Sequence, residues 1–192
     1  AGSITLSTAT DTPTGNVALG AAGTKLAKFI IYAAGESVKV EFLDFQLAWT
    51  GTTETLSDMV RNVSLIDDVG TQVGSTVNTP PSSRTCTGFN AAAGYNAGGT
   101  AYSDCFGTSS SPINYIVPAN TARTLTLLAD IHSNASFSTV VASLLDMSGQ
   151  NNLKGLTSSA DASTGSAAGA SLSLSSTPLS TTLNGALGNV SY

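Results

Sequence analysis

The sequence predicts an all-β protein: an antiparallel β-sandwich, Ig-like or jelly-roll, with one long disulfide-closed loop and extended termini. Three observations carry this. Apolar residues recur with a period of two rather than 3.6, in eight or more short stretches. Clusters of Gly, Pro and Asn separate those stretches. No segment combines helix-capping residues with helical spacing. Trp49 precedes both cysteines, which excludes the Cys–Trp–Cys order of a true immunoglobulin domain.

The strands follow in order. Ile4 and Leu6 alternate with Ser3, Thr5 and Ser7, and Asp11-Thr-Pro-Thr-Gly15 is a turn cluster. Asn16–Leu19 is a short strand. Thr24–Ala33 is a long one with a nearly two-sided apolar centre, closed by a hairpin turn at Gly35-Glu36. In Ser37–Thr50, Val38, Val40 and Phe42 share a face. Phe45, Leu47 and Trp49 join that face only if the phase slips near Leu43-Asp44, which predicts a β-bulge. Thr53–Met59 suits a single helical turn capped by Thr53. Val60–Asp67 and Thr71–Asn78 are strands joined by a turn at Asp68-Val-Gly70. Residues 78–112 form a long insertion that a disulfide would hold. Ile113–Val117, Arg123–Ile131 and Ser136–Met147 complete the main set, the last with Phe137, Val141 and Leu145 inward. The Ser/Ala/Gly-rich segment 156–192 has the composition of a loosely held region, pinned by its own sheet or by a neighbouring copy through Leu172 and Leu174. The domain reading is an extended N-terminal segment, 1–15, and a sandwich domain, 16–192.

The composition limits what such a domain does. Charged residues make up 10% of the chain, against about 25% in ordinary soluble domains. Hydrophobic residues reach 41% with only 6% aromatic, so the core is mainly aliphatic. Seven Lys+Arg and a net charge of −5 give no electrostatic reason to bind nucleic acid or anionic lipid. No apolar run approaches the roughly 18–20 residues of a membrane span. One histidine and two cysteines leave little material for acid–base chemistry or metal ligation, so the reading is a non-enzymatic protein with no cofactor and no metal. His132 lies at a strand end without a Gly-x-Ser-x-Gly elbow. Asp11-Thr-Pro is not the Asp-Thr-Gly of aspartic proteases. Asp67-Asp68 lacks the spaced Asp/Asn pattern of a calcium loop.

Cys86 and Cys105 bracket a Gly/Ala/Asn-rich stretch and are read as a disulfide, worth roughly 3 kcal/mol in the chain-entropy account. That bond implies an oxidising compartment. The start Ala1-Gly2-Ser3, without Met, reads as a mature N-terminus left by signal-peptide removal, hence a secreted or cell-surface location. Asn62, Asn134 and Asn189 head Asn-x-Ser sequons and are candidate glycan acceptors. Phe89, Tyr95, Tyr102 and Phe106 place four aromatic rings in the disulfide loop. They either stack on sugars or a partner surface, or tuck back as a satellite core.

Two runs resemble a known group. Val17-Ala-Leu-Gly-Ala-Ala-Gly-Thr-Lys-Leu-Ala-Lys-Phe29 with Gly35–Val40 is one; Ile116-Val-Pro-Ala-Asn-Thr-Ala-Arg-Thr-Leu-Thr-Leu127 with Ala129–Ile131 is the other. They resemble β-sandwich modules of secreted surface proteins and, at the level of strand pattern over Val17–Met147, TasA/camelysin-like and archaeal bundling-pilus subunits. The resemblance implies subunits that polymerise by donor-strand exchange, and it carries no catalytic residue. The extended terminus of one copy then fills a groove in the next by β-augmentation, and open head-to-tail repetition gives a fibre. Ile4 and Leu6 mark the better donor strand. The function expected is a structural subunit of an extracellular filament or surface layer built from copies of the chain. The alternative is a monomeric adhesion or glycan-binding module using the aromatic loop on a glycan or host surface.

Overall fold

A computed structural model describes residues 2–52, 59–78, 100–108, 110–145, 152–162 and 165–175, and the backbone of 83–84 and 93–95. The described residues contain strands and no helix. The strands are β1 (Ser3–Thr8), β2 (Gly15–Ala18), β3 (Thr24–Ala34), β4 (Val38–Val40), β5 (Leu43–Thr50), β6 (Val60–Asp67), β7 (Ser83–Arg84) and β8 (Ala93–Tyr95). They continue with β9 (Ala101–Phe106), β10 (Tyr115–Val117), β11 (Thr121–Ile131), β12 (Thr139–Leu144), β13 (Leu153–Gly155), β14 (Ala167–Ala168) and β15 (Leu172–Ser175). The predicted turn at 53–58 lies outside the described residues.

One sheet has the order β1-β3-β11-β6. A larger one runs β2-β15-β12-β5-β9-β8-β7, with β14 also on β12, and a small third sheet is β10-β4-β13. The strand pairs are antiparallel except β15 with β2. Leu26, Phe29, Ile31, Leu125 and Leu127 of the first sheet share one apolar core with Phe45, Leu47, Trp49, Val140 and Leu144 of the second. The sheets approach closely enough that a Cβ on Gly169 would stand 2.6 Å from the Cβ of Ala27 in β3. The arrangement is a β-sandwich whose aliphatic and aromatic side chains meet between layers.

The phase slip predicted as a bulge in 37–50 is a change of sheet. β4 pairs with β10 and β13, whereas β5 pairs with β9 and β12. The corner is held by the fully buried Asn152, whose Nδ2 donates to the Phe42 carbonyl at 2.7 Å. The Asn152 carbonyl also accepts from the Glu41 amide at 2.8 Å. For the same reason Gly35-Glu36 is no hairpin turn: the strands on either side of it belong to different sheets. Thr71–Asn78 is not a full strand either. It touches β6 through isolated bridges at Gln72 and Val77.

In β12 the inward residues are Val140, Ala142 and Leu144, so the expected inward pair Val141 and Leu145 is out by one position. Val140-Val141 and Leu144-Leu145 allow either phase. The choice is set where Ser138 N donates to Thr50 O at 2.7 Å. The insertion 78–112 carries an unpredicted strand, β9, with Tyr102 opposite Leu47 and Phe106 opposite Leu43. The C-terminal segment is pinned within the chain as far as it is described. β15 lies between β12 and β2, and Leu172 is buried.

Candidate functional site

The N-terminal strand occupies an edge. Among the described residues β1 pairs with β3 alone, in a register running from Ser3 opposite Ala34 to Thr8 opposite Phe29. Its alternation turns Ile4 and Leu6 into the core, 2% and 9% exposed, and Thr5 and Ser7 outward. Within one chain, Ile4 and Leu6 therefore complete their own sheet, because the six-residue register to β3 is continuous and matches the alternation.

Two contacts fasten this strand at its ends. At its start, Gly2 N donates to Glu36 Oε1 at 2.6 Å. Glu36 also gathers Thr157 N at 2.7 Å and Ser158 N at 2.9 Å on Oε2, and Ser158 Oγ at 2.5 Å on Oε1. The Ser158 hydroxyl, followed by the Ser158, Thr157 and Gly2 amides, holds the Glu36 carboxyl down to about 2. The cradle is tight: a Cβ on Gly2 would stand 2.5 Å from Glu36 Cγ, and one on Gly155 would stand 2.6 Å from Glu36 Oε1. At the other end of β1, Thr8 Oγ1 donates to Ala168 O at 2.7 Å.

The linker 9–14 then leads to β2 in the opposite sheet. Ala9 N donates to Lys28 O at 3.0 Å, Lys28 N donates to Thr12 Oγ1 at 2.9 Å, and Lys28 pairs with the Asp11 carboxylate. Gly15 begins β2 at a φ of 93° that favours glycine.

A second cluster is buried. Asp104 is fully enclosed and accepts from Tyr102 Oη at 2.6 Å and from Cys105 N at 2.7 Å. Asp44, 3% exposed on the neighbouring strand, has its carboxyl pushed up to about 7, first by burial and then by the Asp104 charge.

The other predicted residues separate. Tyr102 and Phe106 are not displayed on a loop: both are buried core residues of β9, and the Phe106 ring lies 4.8 Å from that of Phe45. Their i, i+4 spacing carries both to the same face of a strand, here the core face. Phe89 and the side chain of Tyr95 lie outside the described residues, as do Cys86 and Asn189. Cys105 is buried and is not a free thiol. Asn62 and Asn134 are both exposed.

Asp67 and Asp68 face a cation already. Arg123 Nη2 lies 3.1 Å from Asp67 Oδ2, and Arg123 Nε lies 2.7 Å from Asp68 Oδ1. Asp67 Oδ1 meanwhile accepts from Val69 N and Thr71 N. His132 Nδ1 accepts from Asn134 N at 3.1 Å within its own turn. Among the described residues, no group of three or more His, Cys, Asp or Glu side chains is placed to hold a metal ion. No helix among them is long and apolar enough to cross a membrane.

No known protein family matches the chain, and no curated protein does. Solved structures align with the chain at low identity. AvmM, which catalyses macrocyclization in alchivemycin A biosynthesis, aligns at 9% identity and a TM-score of 0.48, over 94% of this chain and 90% of that one. The seventh ScaB type I cohesin from Pseudobacteroides cellulosolvens aligns at 13% identity and a TM-score of 0.35, over 95% and 99%. A chain of the CaDoc0917–CaCohA2 complex aligns at 13% identity and a TM-score of 0.34, over 91% and 100%. Likeness at this level assigns this chain no activity and no partner.

Proposed function

We propose that the protein is a non-enzymatic structural subunit of an extracellular filament or surface layer, in which neighbouring copies exchange β1. The observation that supports this most directly is the construction of β1. Among the described residues it is an edge strand paired on one side only, its apolar side chains fill a core slot, and its linker crosses to the other sheet. A strand of that kind leaves and re-enters an identical slot with the same contacts in cis or in trans. The balance is then set by the local concentration of copies rather than by new chemistry. The linker 9–14, fully extended, reaches about 20 Å, enough to step off one sandwich towards the next.

The reading agrees with the strand-exchange subunits that the sequence pattern resembles. It places the chain outside the cell, with Cys86 and Cys105 joined across the 78–112 loop. The alternative, a monomeric module binding through displayed aromatic rings, loses Tyr102 and Phe106 to the core.

The test is electron microscopy of the native protein with and without residues 1–10, followed by addition of a synthetic peptide of residues 1–10. Filaments or sheets that vanish on truncation, with truncated subunits that bind the peptide, support the proposal. Dispersed particles of the full chain at high concentration, with no peptide bound by the truncated form, overturn it.

A further inference from the structure

The Asn-x-Ser sequons Asn62 and Asn134 sit in opposite local environments. Asn62-Val-Ser64 lies inside β6, locked on both sides. Arg61 and Ser64 pair with Asp130 and Leu128 of β11, and Val63 bridges to Val77. The Val63 side chain is fully buried. Asn62 itself sits at a φ of 53°, where the β6–β11 register shifts, and its Nδ2 donates to Asp130 Oδ2 at 2.6 Å. The other Asp130 oxygen accepts from Gly23 N at 2.7 Å. The Asn62 amide nitrogen is therefore a structural donor that ties the β6 irregularity to the β2–β3 turn.

Asn134-Ala-Ser136 lies in the connection between β11 and β12. Asn134 and Ser136 are exposed, and Ala135 between them is buried and pins the turn to the domain. The turn is closed by His132: Asn134 N donates to its side-chain Nδ1 and Ala135 N donates to its backbone carbonyl. Among the described residues, no hydrogen bond uses the Asn134 side-chain amide. The side chain of Asn134 can be extended or replaced without removing a contact that holds the fold.

We propose that Asn134 is an N-glycan acceptor of this protein and that Asn62 is not. Transfer requires the Asn amide nitrogen to be free and the sequon backbone to bend so that the hydroxyl at the third position reaches that amide. A turn permits this; the Asn62 sequon, laddered to β11 through Arg61 and Ser64, bridged to Val77 and bonded through its own amide to Asp130, does not. In the reaction, Asn134 Nδ2 attacks the anomeric carbon of a lipid-pyrophosphate-linked sugar donor. The N–C bond forms as the bond from that carbon to the pyrophosphate oxygen breaks. The lipid pyrophosphate departs with the electron pair, and Nδ2 gives up one proton. No oxidant or reductant is involved. A sugar at this turn adds hydration to a chain in which only 10% of residues are charged.

Peptide mass spectrometry of the protein purified from its own source tests the assignment, beside the Asn134→Gln variant made in the same host. The expected result is a hexose- or hexosamine-containing mass on the Asn134 peptide, none on the Asn62 peptide, and loss of the Asn134 mass in the variant at unchanged thermal midpoint. An unmodified Asn134 peptide in the native protein overturns the assignment, and so does a glycan on Asn62. Because both peptides are read from the wild-type protein, the result does not depend on whether an Asn62 variant folds.

Discussion

Truncating Ile4 or Leu6 to alanine measures how much of the core β1 supplies. Both side chains are buried in the apolar core shared by the two large sheets. Large-to-small changes at such positions cost about 2–5 kcal/mol, depending on how far the site collapses. Among the described residues β1 is an edge strand with β3 as its only ladder partner, so collapse is easier there than in β3 or β11. The lower part of the range, about 2–3 kcal/mol for each residue, is expected. Two such losses together are comparable with the roughly 5–15 kcal/mol that keeps an ordinary domain folded. The outward neighbour Thr5 supplies the control, with an expected change within about 0.5 kcal/mol. Urea unfolding separates the cases. At a slope of about 2 kcal/mol/M, each core truncation lowers the midpoint by about 1–1.5 M and Thr5→Ala barely moves it. Midpoints for Ile4→Ala and Leu6→Ala as high as that of Thr5→Ala would refute the view that β1 is an integral core strand.

Further consequences concern the corner, the clasp and the buried acids. Asn152→Ala leaves the Phe42 carbonyl without its 2.7 Å donor and is expected to cost about 1–3 kcal/mol in chemical denaturation. Glu36 has a carboxyl held at about 2 instead of 4.5, so its contribution is fully present above pH 4.5 and is lost as pH falls through about 2. Glu36→Gln should lower the thermal midpoint at pH 7 and remove that part of the acid slope. Asp44 has the opposite sign. With its carboxyl raised from 3.8 to about 7, the folded chain holds the extra proton, so the associated stability is fully present below pH 3.8 and is lost as pH rises from there through about 7. Asp44→Asn should flatten the fall in thermal midpoint between pH 3.8 and about 7. Gly169→Val forces side-chain atoms against Ala27 and the Ala142 carbonyl, and is expected to lower the urea midpoint through overpacking between the sheets.

Periodicity made most of the strands legible. In β1, β3, β6 and β11 the alternation survives in the burial of Ile4 and Leu6, Phe29 and Ile31, Val63 and Leu65, and Leu125 and Leu127. It failed where a local pattern has two physical solutions. The slip at Leu43-Asp44 is equally a bulge or a change of sheet, and the choice rests on partners distant in sequence: β10 and β13 on β4, β9 and β12 on β5, and Asn152 at the corner. Val140-Val141 and Leu144-Leu145 present apolar residues to both faces, so β12 takes its phase from Ser138 and Thr50.

β9 escaped notice because Asp104 sits in its core-facing row, where a carboxylate is not expected. The Tyr102–Asp104 hydrogen bond explains how that position is tolerated. The Tyr102, Asp104, Phe106 alternation was the available signal. The Glu36 clasp had no sequence signal, because it joins Gly2, Glu36 and Thr157-Ser158 across the whole chain.

Cysteine trapping of the β1–β3 pair tests strand exchange most directly. Thr5 and Tyr32 stand directly opposite on the outer face. A Thr5→Cys/Tyr32→Cys double variant, assembled under native conditions, oxidised and run on a non-reducing denaturing gel, reports which chain supplies the strand. The account predicts a ladder of covalent multimers that collapses on reduction and is absent from each single variant and from the parent. A covalent monomer alone, formed at high yield from assembled material, would show that β1 stays in its own chain and would contradict the account.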